Sequence, residues 1–483
     1  TEGKRNRMLP FCNLWNEFDN RKSVPPEKDY GRFLRHSISL LGSFDLNYVK
    51  VGNCRVDKKP LVTVYVTNYN YGRYIEEALE SVFAQGYENF ELIIIDDGST
   101  DNSLDIISRY EEREKVHIVL QKNKGLTVTN NVALRLSNGK YIMRLDADDY
   151  LEPSALSVLV EALENDDSIA LVFPDYFEVD EHGHMLQHVQ RHDFSLKVSL
   201  YDQPAHGACT MIRTKALRAV GGYDETFTRQ DGYDLWLKVI HQYTVRNVNK
   251  PLFYYRQHSK SLTKDEKALL ETRSRIIKKH VEKKCGKQTP SVLAVIPVRG
   301  SAVDARSLPL QSLGGRYLID WTIDAALSSG EIADVLVTTS EQRVLDHVVS
   351  RYSGRVICHE RSLEASRINV QISKTLEEVL AYFTAQGNQE PENLMVLNIE
   401  SPFRNEMYIN KAVHVKQLHD VDVVFGVRVD DDLFYTHDGS GLKPRTLDGF
   451  RLERDDLHRR VGGITLVDTS FFKKNKNIID GKI

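Results

Sequence analysis

The sequence predicts an α/β protein made of two successive domains, each a sheet wrapped by helices. Three observations predict it. Apolar β-rich runs alternate with stretches of helical spacing from residue 59 to residue 258, and a second alternation runs from 291 to 483. Between them, Gly286-Lys287-Gln288-Thr289-Pro290 interrupts the pattern with turn-forming residues. Apolar runs of the first alternation end in clusters of Asp, Asn and Thr, where an open parallel sheet binds its ligands.

The elements follow in order. Residues 1–58 carry few long apolar runs. Val24–Asp29 reads as a loop and Arg32–Leu41 as one short helix, an extension expected to pack on the next domain. In residues 59–263, Leu61–Val66 is a β-rich run. Tyr74–Ala84 is helical, with Ile75, Ala78, Leu79 and Val82 on one face. Glu91–Ile95, Val116–Gln121 and Tyr141–Leu145 read as strands and Ser154–Glu164 as an amphipathic helix, so a mostly parallel sheet covered by helices is expected. Residues 264–290 form a connecting helix, Lys264–Lys284, and a linker. In residues 291–483, Val292–Ile296, Asp334–Thr338, Arg355–Cys358, Leu394–Leu397 and Val421–Val429 read as strands. Ile319–Leu327, Glu341–Tyr352 and Ile372–Phe383 read as the helices between them.

Composition narrows the function. A net charge of −4 gives no overall basic field for nucleic acid, so no nucleic-acid partner is expected. The five cysteines are scattered and form no CxxC pair, which argues against a disulfide framework or a zinc site and for a reducing compartment. No apolar run approaches the roughly 18–20 residues that span a bilayer, and no secretory signal is visible. The expected location is cytoplasmic, with peripheral association at the inner membrane face as a further expectation.

Three strand ends carry the chemistry of the first domain. They read Thr67-Asn68-Tyr69-Asn70, Asp96-Asp97-Gly98-Ser99-Thr100-Asp101 and Asp146-Ala147-Asp148-Asp149. In a parallel sheet all three face one crevice. Tyr69 can stack on a base, and Asp97 can accept hydrogen bonds from a base edge or ribose. The closely spaced Asp146, Asp148 and Asp149 suit Mg²⁺ or Mn²⁺, which can bridge a diphosphate and neutralise the charge that grows on it as it leaves. Alone, Asp-Asp-Gly-Ser is usually only a turn. Two such acidic ends after long apolar runs are much harder to obtain by chance.

The stretch from about Pro60 to Thr263 resembles the family 2 glycosyltransferases, whose fold is termed GT-A. The resemblance rests on these three segments together with Asn123-Lys124-Gly125 and Asn138-Gly139-Lys140-Tyr141-Ile142. It implies nucleotide contacts from Asp97, with Thr67 and Tyr69 beside it, and from Asp148. It implies metal- and diphosphate-side roles for Asp148 and Asp149, with Asp146 opening the motif. Gly221-Gly222-Tyr223-Asp224-Glu225 and Gln230-Asp231-Gly232-Tyr233-Asp234-Leu235-Trp236 resemble the acceptor-side segment, whose catalytic base matches Asp231. One base and no enzyme nucleophile implies a single displacement with inversion. Without the resemblance, Asp231 reads as a surface carboxylate or a helix cap, and Asp234 as a helix support. In the closing motif Tyr255-Arg256-Gln257-His258-Ser259-Lys260-Ser261, His258 is a candidate metal or diphosphate contact and Arg256 a candidate phosphate partner. His206 is a candidate lining residue of the acceptor pocket. Thr129-Asn130-Asn131-Val132-Ala133 departs from the Arg-Asn-x-Gly element of many relatives. The implied partners are a nucleotide-diphosphate sugar, UDP by family habit, and a glycan or glycoconjugate acceptor.

Residues 291–483 resemble acylneuraminate cytidylyltransferases. The resemblance is carried by Ala294-Val295-Ile296-Pro297-Val298-Arg299-Gly300, Leu313-Gly314-Gly315-Arg316-Tyr317-Leu318, Leu397-Asn398-Ile399-Glu400-Ser401-Pro402-Phe403-Arg404 and Arg460-Val461-Gly462-Gly463. It implies a nucleotidyltransferase-like fold, with Arg299 and Arg404 as candidate anion ligands and a homodimer through this domain. The chemistry departs from the family. Val303 and Asp304 stand where basic triphosphate ligands are expected, and Ser340 stands in place of a strand-end aspartate. A docking or assembly role is therefore preferred to CTP-dependent activation of an acidic sugar. A wholly non-catalytic scaffold is opposed by the acidic residues of the first domain.

Overall fold

The computed structural model describes residues 59–192, 197–200, 202, 204–258, 266–286, 289–301, 303–430, 435–437, 442–444 and 457–483. The loop and helix expected within residues 1–58, the start of the connecting helix at 264–265 and residues 259–261 of the closing motif lie outside them. The chain divides into two compact units, Thr1–Lys59 and Pro60–Ile483. The second unit holds both large sheets.

In the first lobe the order is β1 (Val62–Asn68), α1 (Ile75–Phe83), β2 (Phe90–Asp96), α2 (Ser103–Ile107), β3 (Val116–Leu120), α3 (Leu126–Leu136), β4 (Tyr141–Asp146), β5 (Tyr150–Leu151) and α4 (Ala155–Glu164). Then come β6 (Ile169–Val179), β7 (Met185–Val189), β8 (Met211–Arg213), α5 (Thr214–Ala219), α6 (Asp231–Ile240), β9 (Thr244–Arg256) and α7 (Glu266–Cys285). The sheet runs β3-β2-β1-β4-β8-β6-β9-β5, with β7 paired to β6. Its β3-β2-β1-β4 half is parallel. The expectation of a mostly parallel sheet holds for that half alone. β4 pairs β8, β8 pairs β6, β6 pairs β7 and β5 pairs β9 in antiparallel fashion, leaving β6–β9 as the one parallel pair beyond it. Strands β6, β8 and β9 were not anticipated. β8 is only three residues long, and the polar residues interleaved in β9 blur its alternation.

The buried β-branched runs of β1 and β2 exist because helices cover both faces of this half. Val62, Val64, Val66, Leu92 and Ile94 pack against α1 and α4 in one core. Tyr65, Ile93 and Ile95 pack in another with Leu134 of α3, Leu235 and Trp236 of α6, and Ile276, Ile277 and Val281 of α7.

The second lobe comprises β10 (Val292–Val298), β11 (Ser312–Leu313), β12 (Arg316–Tyr317), α8 (Leu318–Ser328), β13 (Asp334–Thr339), α9 (Gln342–Tyr352), β14 (Ile357–Glu360), α10 (Leu363–Ser366), α11 (Ile372–Ala385) and β15 (Asn393–Leu397). It continues with α12 (Glu406–His419), β16 (Val423–Asp430), β17 (Tyr435–His437), β18 (Leu442–Pro444), β19 (Leu457–Asp468) and α13 (Thr469–Asn475). Its main sheet runs β14-β13-β10-β15-β19-β16, parallel from β14 to β15 and antiparallel through β19 and β16. Leu418 of α12 enters the α6–α7 core of the first lobe, and Lys284 of α7 donates to the Gln417 and Leu418 carbonyls at 3.1 Å. Among the described residues, no helix is long and apolar enough to cross a membrane.

Candidate active site

Register sets the site. Asn68 pairs with Asp96, and Thr67 pairs with Asp146, so the polar ends of β1, β2 and β4 finish level. The two aspartates after β2 then diverge. Asp96 is structural: it accepts from Asn68 Nδ2 at 2.7 Å and from the backbone N–H groups of Gly98 and Ser99, closing an Asx turn. Gly98 takes φ +82°, and a Cβ there would stand 2.8 Å from the Asn123 nitrogen. That close approach brings the 121–125 loop to Asp97. The Asp97 carboxylate accepts from Gln121 Nε2 (2.7 Å), Lys124 N (2.8 Å) and Gly125 N (2.8 Å). A carboxylate has about four acceptor positions, so one remains for a ligand. Tyr69 lines the same cavity and is 46 % exposed.

The β4 end separates its three carboxylates. Asp148 reaches the cavity and pairs with His258 Nε2 at 2.9 Å. Asp149 is turned into the protein, 1 % exposed, and accepts from the backbone nitrogen of Arg256 at 3.0 Å. Asp146 accepts from Thr67 Oγ1 at 3.2 Å and pairs with Arg144 at 3.0 Å. Burial pushes Asp149 and Asp146 above the usual carboxylate range, and the adjacent Asp148 adds to this. Burial, with Asp148, Asp146 and Asp149 nearby, also pushes Tyr71 up; its ring packs edge-on against His258. Among the described residues no group of three His, Cys, Asp or Glu converges on one point, so the structure forms no three-ligand metal cage. Asp148 and His258 fit a hard divalent ion as a two-ligand pair, in the manner of sites completed by substrate phosphate and water.

Arg256 corrects the sequence expectation. It is 2 % exposed, and its side chain donates to Glu77 Oε2 (2.5 Å), the Asp148 carbonyl (2.9 Å) and the Asp180 and Glu181 carbonyls. It braces β9 against α1 and the acidic loop, leaving no fork for a phosphate.

The acceptor-side wall is built on a residue that motif matching missed. Arg144 lies mid-strand in β4, 7 % exposed. Nη1 donates to Asp231 Oδ2 at 2.5 Å, and Nε and Nη2 meet Asp146. Asn130, fully buried on α3, donates to the same Asp231 oxygen at 3.0 Å. Asp231 opens α6, where a carboxylate suits the helix dipole. No described protein donor reaches its Oδ1. A charged residue inside an apolar strand demands a partner, which was the available signal for Arg144. Asp234 ties α6 to α7 through His280 (2.9 Å) and pairs with Lys238 one turn further along α6 itself (2.6 Å). His206 lines the cavity, and its Nδ1 accepts from Ala208 N at 3.1 Å, so its Nε2 carries the proton. Burial, with Arg144 and Arg191 nearby, lowers His206 to about 3.

Thr67, Tyr69, Asp97, Asp146, Asp148, His206 and Asp231 thus line one cavity of about 1050 Å³. Leu269 and Arg273 of α7 complete its wall.

The second-lobe candidates do not converge on a comparable site. Arg404 corrects its expectation as an anion ligand: it is 8 % exposed, and its guanidinium meets the Asn398 and Gly463 carbonyls and Thr322 Oγ1. Arg299 is partly exposed and donates to the Ile368 carbonyl at 3.5 Å. Asp304 pairs with Arg306 at 3.1 Å and faces Arg299 at 3.9 Å, so the loop neutralises itself.

Comparison with known proteins fits this division. The family description Glycosyl transferase family 2 matches residues 63–221, and Cytidylyltransferase matches 294–432. Over 202 residues the chain is 30 % identical to a chondroitin synthase of Escherichia coli, covering 42 % of this chain and 29 % of that protein. It is 31 % identical over 190 residues to an uncharacterised glycosyltransferase of Methanocaldococcus jannaschii, covering 38 % and 65 %. The S. aureus TarS fragment 1–349 in complex with UDP-GlcNAc overlays with a TM-score of 0.41 at 14 % identity, covering 80 % of this chain and 99 % of that one. The chain spans less than a third of the length of the curated synthases it matches. It carries a family 2 glycosyltransferase domain followed by a cytidylyltransferase-type domain.

Proposed function

We propose that the first lobe transfers a sugar, with inversion, from a nucleotide-diphosphate donor to a hydroxyl of a glycan or glycoconjugate. The observation that carries this is the half-engaged Asp231. Arg144 and Asn130 fix one carboxylate oxygen, leaving Oδ1 as a base on the wall of a cavity that also holds Asp97 and Asp148. Tyr69 stacks on the base, UDP being the preferred nucleotide, and Asp97 takes its last hydrogen bond from the nucleoside. Asp148 and His258 would hold a divalent cation, Mn²⁺ or Mg²⁺, which would supply positive charge to neutralise the leaving diphosphate. The acceptor oxygen attacks the anomeric carbon as the bond to the diphosphate breaks, and Asp231 Oδ1 takes the hydroxyl proton. The second lobe serves docking or assembly, including self-association, rather than CTP activation, since its self-paired loop and engaged Arg404 offer little to a triphosphate.

The test is a thermal shift with UDP, GDP, CDP and CTP, each with and without Mn²⁺. A diphosphate nucleotide should raise Tm in a metal-dependent way, since a ligand of the folded state stabilises it by mass action. Asp148→Ala should blunt the Mn²⁺ dependence. No stabilisation by any diphosphate nucleotide would sink the proposal.

A further inference from the structure

Resting on that transferase reading, we propose that a single buried water sits behind the base, and that Trp236 is a positioning residue that acts on Asp231 through it. Beside the main cavity lies a chamber of about 20 Å³ whose polar walls are Arg144, His206, Thr210, Tyr223, Asp231 and Trp236. Arg144, His206 and Asp231 also line the main cavity, so the guanidinium–carboxylate pair stands between the two spaces. One water needs roughly 10–15 Å³, so the chamber admits water and excludes a sugar.

Trp236 is 2 % exposed and packs edge-on against Phe173, with ring centroids 5.8 Å apart. Its Nε1 is buried and has no hydrogen-bond partner among the described residues. A buried indole N–H normally finds an acceptor. Other buried polar atoms, Asn247 Oδ1 and Thr469 Oγ1 for example, also lack a partner among the described residues, but their residues do not line the chamber. Arg144 Nε, which belongs to a chamber residue, faces Asp146 at 3.0 Å. The other walls supply acceptors. Thr210 Oγ1 donates its one hydrogen to the His206 carbonyl at 2.5 Å, so toward anything else it can only accept. The Asp231 carboxylate is a charged acceptor, and is preferred to the Tyr223 hydroxyl, which already pairs with Tyr65 at 3.2 Å. A water that accepts from Trp236 Nε1 and donates to Thr210 and Asp231 makes the roughly three hydrogen bonds usual for buried water. Trp236 and Asp231 both belong to α6, and Thr210 directly precedes β8. The water therefore ties the helix of the base to β8 and adds to the restraint from Arg144 and Asn130.

The test is a crystal structure of the full chain at a resolution that shows ordered water, read beside the indole N–H NMR spectrum of the same protein labelled with ¹⁵N-tryptophan. The wild type should show one water within hydrogen-bond distance of Trp236 Nε1 and of the Asp231 carboxylate. Trp236→Phe keeps most of the ring and removes the donor, so it should lose that water and one indole signal, which assigns the Trp236 resonance. Asp231→Asn should shift that resonance, whereas Asp97→Asn, whose carboxylate lines the main cavity alone, should leave it in place. A wild-type chamber without water, or Nε1 donating directly to a protein atom, overturns the site, and this result needs no variant to fold. A Trp236 resonance that ignores Asp231→Asn, or that moves equally with Asp97→Asn, overturns the positioning role. UDP plus Mn²⁺, titrated separately, should bind wild type and Trp236→Phe alike. Weaker binding in the variant would show a general structural role and overturn the proposal. Failure of wild type to bind UDP counts against the transferase reading itself, and the two failures are separable because the water and the indole signals need no nucleotide.

Discussion

At the scale of residues, the site turns on how one carboxylate oxygen is restrained while the other is left open. Asp231→Asn preserves the restraint: the asparagine oxygen can still accept from Arg144 and Asn130, which places the amide NH₂ where the free oxygen stood. An amide cannot take a proton. Sugar transfer should therefore fall by about 10²–10⁴-fold, the usual contribution of a general base, while UDP affinity stays near wild type. Near-normal turnover in a coupled assay would reject Asp231 as the base. His206 gives a pH signature instead. Its folded pKa of about 3 lies below the unfolded value, because burial favours the neutral ring. Its contribution to stability is complete above roughly pH 6.5 and is lost as pH falls toward 3, where the unfolded chain binds a proton that the folded chain refuses. His206→Gln should flatten the decline in urea midpoint between pH 7.5 and pH 4.5. Parallel declines in the two proteins would show that His206 does not carry this linkage.

At the scale of elements, the nucleotide side depends on a turn that only glycine tolerates. Gly98 sits at φ +82° with the Asn123 nitrogen 2.8 Å from where a Cβ would stand. Gly98→Ala imposes left-handed strain of about 1–3 kcal/mol and pushes the 121–125 loop away from Asp97. Nucleotide affinity should drop more than global stability, with UDP titration set against urea unfolding. An unchanged affinity would mean that the loop adapts. The same turn shows what the sequence discloses. Asp96-Asp97-Gly98-Ser99 at the end of an apolar run is local information, and both the turn and the cavity-facing Asp97 follow from it. Pairings across long sequence separations are not local. Arg256 looked like a phosphate ligand by motif position, but its partner Glu77 lies 179 residues away. Arg144 and Asn130 escaped notice because their target, Asp231, is 87 and 101 residues distant. The antiparallel half escaped for a related reason: β6, β8 and β9 become recognisable only once they pair.

At the scale of the whole molecule, the two lobes have the same class of fold and unequal chemistry. The second sheet is complete, with Val292, Ala294 and Ile296 packed against Ile319, Val344 and Val413 and with Leu293 and Val295 packed against Leu376 and Val379. Its apolar core is thus built without the residues that would serve a triphosphate. Those residues are wrong or already engaged. Asp304 brings a carboxylate into the loop and ties up Arg306, with Arg299 close by. Arg404 is bound to main-chain carbonyls and Thr322, and β13 is followed by Ser340 and then Glu341, whose carboxylate is already engaged by the Ser301 backbone nitrogen and Arg343. Catalysis of nucleotidyl transfer needs preorganised cations, backbone donors and metal aimed at the departing pyrophosphate. A loop that neutralises its own charge offers little of this. The lobe should therefore fold without making CMP-sugars, while α12 supports α7 and through it one wall of the transferase cavity. Incubation of the full-length protein with CTP, Mg²⁺ and a panel of eight- and nine-carbon acidic sugars should release pyrophosphate no faster than the no-sugar control. Asp304→Lys should not restore release, because Arg404 and Glu341 would still be engaged within the protein. Sugar-dependent pyrophosphate release by the wild-type chain would instead establish the second lobe as an active cytidylyltransferase and make the protein bifunctional.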